Sequence, residues 1–196
     1  GIMAIVIPAC PMPNDFKPFL RDFGGILTPF LGGPEQRINR VGTRFGLRVS
    51  MPPMDMNGEG RIFVARLLQA RESRALLPWP MLTFNPGIPG SPLVATAATG
   101  GSVLDIKGLT AAYPIKEGQF FSIIHGGRRY VHMFTADVTA AGGGTATTLI
   151  YPMLRTSISV NDVIEIAAPM IEGHVLPGDE LGWQIGLSNQ TDIAFS

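Results

Sequence analysis

Histidine and carboxylate side chains are the residues of this sequence that could hold a metal ion or transfer protons. The histidines are His125, His132 and His174, and no two have the i, i+3 or i, i+4 spacing that places two ligands on one helix face. Asp179-Glu180 is the one adjacent acidic pair, and adjacent residues of an extended chain point in opposite directions. The sequence therefore predicts no metal site, no cofactor and no pair of carboxylates for acid–base catalysis.

His125-Gly126-Gly127 is the segment nearest to a catalytic motif, because some esterases place such residues in the loop that stabilises an oxyanion. That chemistry also needs a serine in a G-x-S-x-G turn, which this sequence lacks. Two consecutive glycines instead suit a tight hairpin turn. His132 falls on the apolar face of the next strand, so we expect it to be buried and hydrogen-bonded. We predict that the protein is not an enzyme.

Arginine is the third residue type with binding chemistry, and three arginines share one face of a predicted strand. Arg40, Arg44 and Arg48 alternate with apolar or small side chains from Val41 to Val49. Guanidinium groups suit carboxylates, phosphates and protein interfaces. We interpret these arginines as a subunit interface or a solvated face. Nucleic acid is the less favoured partner, because the net charge of the chain is zero.

The overall composition favours a surface that is covered by other protein. Charged residues make up only 15% of the chain and hydrophobic residues 45%, which is a low charge density for a soluble monomer. Residues 1–100 hold ten Lys or Arg against six Asp or Glu, whereas residues 101–196 hold five against nine. The two halves would attract each other within one molecule or between neighbours, although ordinary scatter explains the asymmetry equally well.

Neither a disulfide nor a membrane segment is expected. Cys10 is the single cysteine, which excludes an intramolecular disulfide and a cysteine metal cluster. No apolar run approaches the ~20 residues of a spanning helix. The apolar stretch at residues 3–8 has no basic residue before it and prolines after it, unlike a signal peptide.

The elements before residue 85 are predicted to be short strands and one helix. Prolines and glycine pairs over residues 3–35 favour an extended arm with short edge strands. We predict that Ile5, Val6 and Ile7 of this arm add as a strand to a neighbouring subunit. A helix is predicted near residues 59–72, with its apolar face inward. Asp55 and Asn57 are candidate caps for this helix. Residues 76–84 are a predicted edge strand.

The predicted fold class is mainly β, with two β-rich domains built as an antiparallel sandwich or small barrel and one helix near residues 59–72. The first domain spans residues 3–84. Residues 85–102, rich in Pro, Gly, Ala and Thr, form a linker. The second domain spans residues 103–196. Its candidate strands are residues 103–106, 119–124, 129–138, 145–151, 163–167, 181–187 and 193–195.

The second half of the chain contains a series of short motifs: Lys107-Gly108-Leu109 and residues 118–123, 126–129, 130–132, 142–148, 152–155, 162–165 and 168–170. These motifs resemble a module found in tail proteins of long-tailed bacteriophages. The half before them is similar to the ring-forming part of distal tail proteins.

This resemblance implies a structural virion protein of a phage tail, either a distal tail protein or a baseplate adaptor. Such proteins assemble into homo-oligomeric rings, commonly hexamers, between the tail tube and the hub. The implied partners are copies of the same chain and the tube and hub proteins, with no membrane. Nucleic acid enters only as DNA that passes through a channel. The implied location is the virion tail, after synthesis in the bacterial host cytoplasm.

Two functions of other classes stay open. A carbohydrate-binding module for host-surface recognition would need an exposed aromatic platform, and a hydrolase would need His125 or His174 beside carboxylates. The available aromatic residues are far apart in sequence, which favours core positions. They are Trp79, Tyr113, Tyr130 and Trp183.

Overall fold

In a computed structural model of the chain, the described residues are 4–7, 15–55, 57–81, 83–175, 184–185, 190–191 and 194–195. The described chain is mainly β with one helix, which confirms the predicted fold class. No helix among these residues is long and apolar enough to cross a bilayer. The elements are β1 (Ile5–Val6), β2 (Asp15–Arg21), β3 (Gly25–Leu27), β4 (Gln36–Ile38), β5 (Arg44–Ser50), α1 (Glu59–Glu72), β6 (Ala75–Pro78), β7 (Gly90–Val94), β8 (Gly101–Leu109), β9 (Pro114–Ile115), β10 (Phe120–His125), β11 (Arg128–Phe134), β12 (Val138–Thr139), β13 (Ala146–Leu154), β14 (Val163–Glu165), β15 (Met170–Gly173), β16 (Gln184–Ile185), β17 (Gln190–Thr191) and β18 (Ala194–Phe195).

The chain forms two compact units, and both are discontinuous in sequence. The first comprises residues 1–19, 46–84 and 168–196, and the second comprises residues 20–45 and 85–167. This division keeps the expected boundary between residues 84 and 85, but it places residues 20–45 and the expected linker in the second unit and residues 168–196 in the first. Pairing between distant strands explains the difference, because β15 pairs with β6, and β7 in the expected linker is a barrel strand. The amino-acid composition of a segment indicates how readily it forms turns, but it does not indicate which strand the segment pairs with in a sheet.

The second unit contains a closed six-stranded antiparallel barrel with the strand order β10-β11-β13-β8-β7-β14. Along β13, every second residue from Ala146 to Leu154 is buried, which is the period of a strand with one face toward a core. The barrel interior is filled by large apolar side chains. They include Leu104, Ile106, Phe121, Ile123, Phe134 and Ile150.

The tight turn predicted at Gly126-Gly127 is confirmed. Both residues have positive φ, 56° and 73°, and they join β10 to β11 as a two-residue hairpin. The strand predicted over residues 129–138 is shorter, since β11 ends at Phe134 and β12 pairs with β9 instead. Asp137 lies in the break, and its carboxylate accepts a hydrogen bond from Glu117 N–H at 2.7 Å.

In the first unit, β6 lies between β1 and β15, so the edge strand predicted over residues 76–84 is wrong. Hydrogen bonds occupy both sides of β6 because its prolines lie at or beyond its end. The predicted helix is present, and it buries one face as expected. The buried residues of that face are Phe63, Val64, Leu67 and Ala70.

Neither candidate cap residue occupies the start of the helix. The N-cap is Gly58, which makes no side-chain capping hydrogen bond. The carboxylate of Asp55 instead accepts a hydrogen bond from Asn57 N–H at 2.9 Å. Asp55 therefore stabilises the turn before the helix, as aspartate commonly does in such turns.

Candidate functional site

A hairpin in the second unit carries the most exposed apolar side chains of the described chain. This apolar hairpin, residues 25–38, consists of β3, β4 and the loop between them. A hydrogen bond from Gly32 N–H to Pro29 O, 3.2 Å long, closes a turn with Phe30 and Leu31 at its centre. These two side chains are 102% and 95% exposed. The turn therefore presents two large apolar groups directly to solvent.

Asp22 fixes the base of the apolar hairpin. Its Oδ1 accepts hydrogen bonds from Gly24 N–H at 2.8 Å and from the Thr43 hydroxyl at 3.0 Å. Its Oδ2 accepts one from the Arg37 guanidinium at 2.8 Å. The bond from Gly24 N–H, followed by those from Thr43 and Arg37, lowers the pKa of Asp22 below its ordinary value. One carboxylate thus joins both strands of the hairpin to the segment before β5.

Replacing Asp22 by alanine is expected to loosen the hairpin, because three donors lose their acceptor. Amide hydrogen exchange over β3 and β4 should become faster, while exchange in the barrel strands stays unchanged. Asp15→Ala is the matched control, since that exposed carboxylate forms an ion pair with Lys17 and, among the described residues, with no other side chain. Equal exchange in all three proteins would contradict this role for Asp22.

The contribution of the Asp22 carboxylate to the stability of the hairpin depends on pH. Because the folded state lowers the pKa of Asp22, its contribution is present above the ordinary aspartate pKa of 3.8 and disappears as pH falls through the lowered value. The protection factors of the hairpin amides, which correct for the intrinsic pH dependence of amide exchange, should therefore fall in the wild type only below about pH 4. Exchange in Asp22→Ala should lack that step.

Two of the three predicted interface arginines stack on phenylalanine rings of their own chain. The guanidinium carbon of Arg48 lies 5.4 Å from the ring centre of Phe19, and that of Arg44 lies 5.1 Å from Phe23. These are cation–π contacts. Arg40 is exposed and precedes β5, which begins at Arg44. The three arginines therefore do not form one continuous solvated face.

Glycines on β5 leave room for these rings. A Cβ at Gly46 would collide with the Phe19 ring, and one at Gly42 would approach Phe23 Cδ2 to 3.3 Å. Each ring thus lies over a glycine two residues before its arginine partner. This close approach is one use of glycine in or near a strand.

Arg44 also belongs to a cluster of positive charge in the second unit. The guanidinium carbon of Arg155 lies 5.0 Å from the centre of the Tyr130 ring. The pKa of Arg155 is lowered overall, mainly by burial and next by repulsion from Arg44. The nearby Tyr130 raises this pKa, and repulsion from Arg128 lowers it. Within the described chain, no carboxylate forms an ion pair with these three arginines. The cluster is a surface that favours anionic groups.

The amino-terminal strand is paired within its own chain. Ile5 N–H donates to Arg74 O at 2.7 Å, and Ile7 N–H donates to Leu76 O at 3.0 Å. Val6 O accepts a hydrogen bond from the Arg66 guanidinium at 3.0 Å. β1 is nevertheless the edge strand of its sheet, so the addition of residues 5–7 to a neighbouring subunit stays a prediction. The Ile7 side chain is buried and contributes to its own core.

His132 is buried and hydrogen-bonded, as predicted. Its Nδ1–H donates to Pro152 O at 2.8 Å, and its ring stacks against Phe121. Burial lowers the pKa of His132 to about 4 and outweighs the hydrogen bond to Pro152, which raises it. The imidazole is thus neutral at physiological pH and serves as a core residue.

His125 has a carboxylate partner, which the sequence did not predict. Its Nδ1 lies 2.7 Å from Asp162 Oδ2, and that oxygen also accepts a hydrogen bond from Ser159 N–H at 2.7 Å. The Ser122 hydroxyl donates to Glu165 Oε2 at 2.6 Å. Residues 122 and 125 point to opposite faces of β10, so this serine is not aligned with the histidine.

The histidine–aspartate contact fixes a loop. It joins the end of β10 to the turn before β14, where Asn161 has a φ of 71°. His174 is exposed. Among the described residues, no three His, Cys, Asp or Glu side chains converge as metal ligands would.

The aromatic residues considered for sugar binding are in different environments. Trp79 and Tyr113 are buried, and the Tyr113 hydroxyl donates to Pro86 O at 2.6 Å. Tyr130 lies under Arg155. Trp183 lies outside the described residues. The three described rings do not form a common exposed platform.

No family model and no curated protein matches the chain. The candidate site is the apolar hairpin of the second unit.

Sequence reasoning missed the apolar hairpin because it treated residues 3–35 as one arm. A signal was present, since Phe30-Leu31 stands between Pro29 and Gly32-Gly33. Proline and glycine punctuate turns, and large apolar residues at the centre of a turn are exposed unless something covers them. These five residues together indicate an apolar loop tip.

Proposed function

We propose that this chain is a structural virion protein of a bacteriophage tail, a distal tail protein or baseplate adaptor, that acts by assembly rather than catalysis. Its copies associate into a ring between the tail tube and the hub. The observation that carries this proposal is the apolar hairpin with Phe30 and Leu31 at its tip.

The size of the exposed apolar surface supports assembly. Ile26 and Leu27 are each more than half exposed beside the two tip residues. The four side chains together present on the order of 500 Å² of apolar surface. Ile26 and Leu27 are consecutive in β3, so they place this surface on both faces of the strand. Large apolar side chains that are concentrated in one exposed segment commonly mark an interaction site.

The link to phage tails comes from the motifs after residue 107. Several of these motifs lie on consecutive barrel strands: residues 118–123 enter β10, residues 126–129 form the turn into β11, and residues 152–155 end β13. A closed barrel has no free strand edges and keeps its surface in a fixed shape. Such a body suits a protein whose function is to hold neighbours at defined positions.

Light scattering over a range of protein concentrations tests the proposal. The wild type is expected to have a mass that is a multiple of its 21.0 kDa chain. Electron microscopy of the same fraction should show closed rings with a central channel. A species that stays at the mass of one chain, and gives no rings at high concentration, would contradict the proposal.

Phe30→Ser/Leu31→Ser is expected to weaken this self-association at least tenfold while leaving the fold intact. Both side chains are exposed, so the change removes interface contacts and little of the core. Ile88→Ser is the matched control, because it replaces an exposed apolar residue outside the hairpin. Circular dichroism before and after thermal unfolding checks that each variant is folded.

A further inference from the structure

We infer that the apolar hairpin of one copy binds an apolar patch on the barrel of a second copy. This barrel patch consists of Val103, Leu149 and Tyr151. The inference rests on the proposed assembly function, and it names the two surfaces that meet.

The barrel patch lies on the outer face of β8 and β13. Val103 and Leu149 are directly opposite each other in the strand register, and they are 52% and 50% exposed. Tyr151 follows two residues after Leu149 and is also exposed. Side chains two residues apart share one face of a strand. Three large apolar groups are therefore adjacent on a surface that faces away from the core.

Polar side chains border the barrel patch on one side. The Thr147 hydroxyl donates to Asp105 Oδ1 at 2.7 Å. Thr147 and Asp105 are opposite each other in the strand register, two residues from Leu149 and Val103 and on the same face. An apolar centre with a polar, hydrogen-bonded rim is the usual arrangement of a protein interface. The patch has that arrangement without any partner from its own described chain.

A second copy of this chain is the occupant that the surfaces favour. Contact between two hairpins would cover both tips and leave both barrel patches in water. Contact between a hairpin and a patch covers both kinds of apolar surface, so it removes more apolar area from water per copy.

The geometry of such a contact leads to rings. Hairpin and patch are different surfaces of one chain, so the contact is heterologous and leaves a free hairpin and a free patch on each pair. Heterologous contacts add further copies until the rotation closes into a ring, or continue as a filament. The inferred contact thus provides the ring closure that the proposed function requires.

Disulfide crosslinking between two different variants tests the contact. In a Cys10→Ser background, Leu31→Cys is placed in one preparation and Leu149→Cys in another preparation that carries a larger affinity tag. After mixing and mild oxidation, we expect a mixed dimer of one chain from each preparation. Ile88→Cys replaces Leu149→Cys as the matched control, and its mixed product should be at least tenfold less abundant.

The other outcomes have distinct meanings. A product dominated by Leu31→Cys homodimers would overturn the inference in favour of a hairpin–hairpin contact. Sedimentation of the wild type with phosphatidylglycerol vesicles, lost in Phe30→Ser/Leu31→Ser and without a mixed crosslink, would assign the hairpin to lipid and overturn it too.

The light-scattering mass separates failure of this inference from failure of the proposed function. A wild-type oligomer that forms no mixed crosslink and keeps its mass in Phe30→Ser/Leu31→Ser would overturn the inference and leave the assembly function standing. A wild-type monomer without any crosslink would overturn both. A mixed crosslink together with a ring of the expected mass supports both.

Discussion

Replacing Phe121 by alanine is expected to lower the free energy of unfolding by about 3–5 kcal/mol. Phe121 is fully buried in the barrel. The centre of its ring lies 4.1 Å from the centre of the Phe134 ring, and the angle between the two ring planes is 17°. It also stacks on His132, with ring centres 5.9 Å apart. The substitution removes a large apolar side chain and leaves a cavity that rigid strands on all sides cannot fill.

Chemical unfolding by guanidinium chloride measures this effect. The midpoint should fall, and the denaturant dependence should stay unchanged if the same surface unfolds. Phe30→Ala is the matched control, because it makes the same substitution at a fully exposed ring. At a protein concentration where the chain is monomeric, Phe30→Ala should change the free energy of unfolding by no more than about 0.5 kcal/mol. Equal effects of the two substitutions would contradict the assigned core.

Lowering the pH from 7 to 4 is expected to destabilise the barrel by about 3 kcal/mol through His132 alone. The pKa of His132 is about 4 in the folded chain, against an ordinary value of 6.5. Between these values the unfolded state binds the proton and the folded state does not. Stability therefore falls as the pH drops from about 6.5 to about 4, and this contribution is constant below that window.

His132→Asn provides the control for this pH dependence. Asparagine keeps a donor near the position of Nδ1, so it can still bond Pro152 O, but it does not titrate. The variant should be less stable than the wild type at pH 7 and should lack the slope between pH 6.5 and 4. The lowered pKa values of Asp22 and Asp137 act below 3.8, so they do not overlap with this window. A wild-type stability that is flat across the window would contradict the buried neutral imidazole.

The barrel strands were largely readable from sequence because their signals are local. Gly126-Gly127 satisfies the positive φ of a two-residue turn wherever it occurs, so the β10–β11 hairpin was predictable. The alternation along β13 and the apolar face of α1 likewise depend on residues close in sequence. Those features are properties of a chain segment and need no knowledge of its partner.

Features that depend on partners were not predictable in the same way. Leu76 was placed on an edge strand, yet β6 is central because β1 and β15 bond to its two sides. The contacts of Arg44 with Phe23 and of Arg48 with Phe19 were likewise not predicted. Each result depends on residues that are far apart in the chain.

Local sequence patterns were enough to predict the mainly β character, the position of the helix and the tight turn at Gly126-Gly127. These features depend on backbone preference and side-chain periodicity, which act over a few residues. The tertiary structure alone decided that the barrel closes and that residues 85–167 join residues 20–45 in one unit. It also decided that Phe30 and Leu31 are left in water. Whether an apolar side chain is covered depends on the path of the whole chain, and no local pattern contains that information.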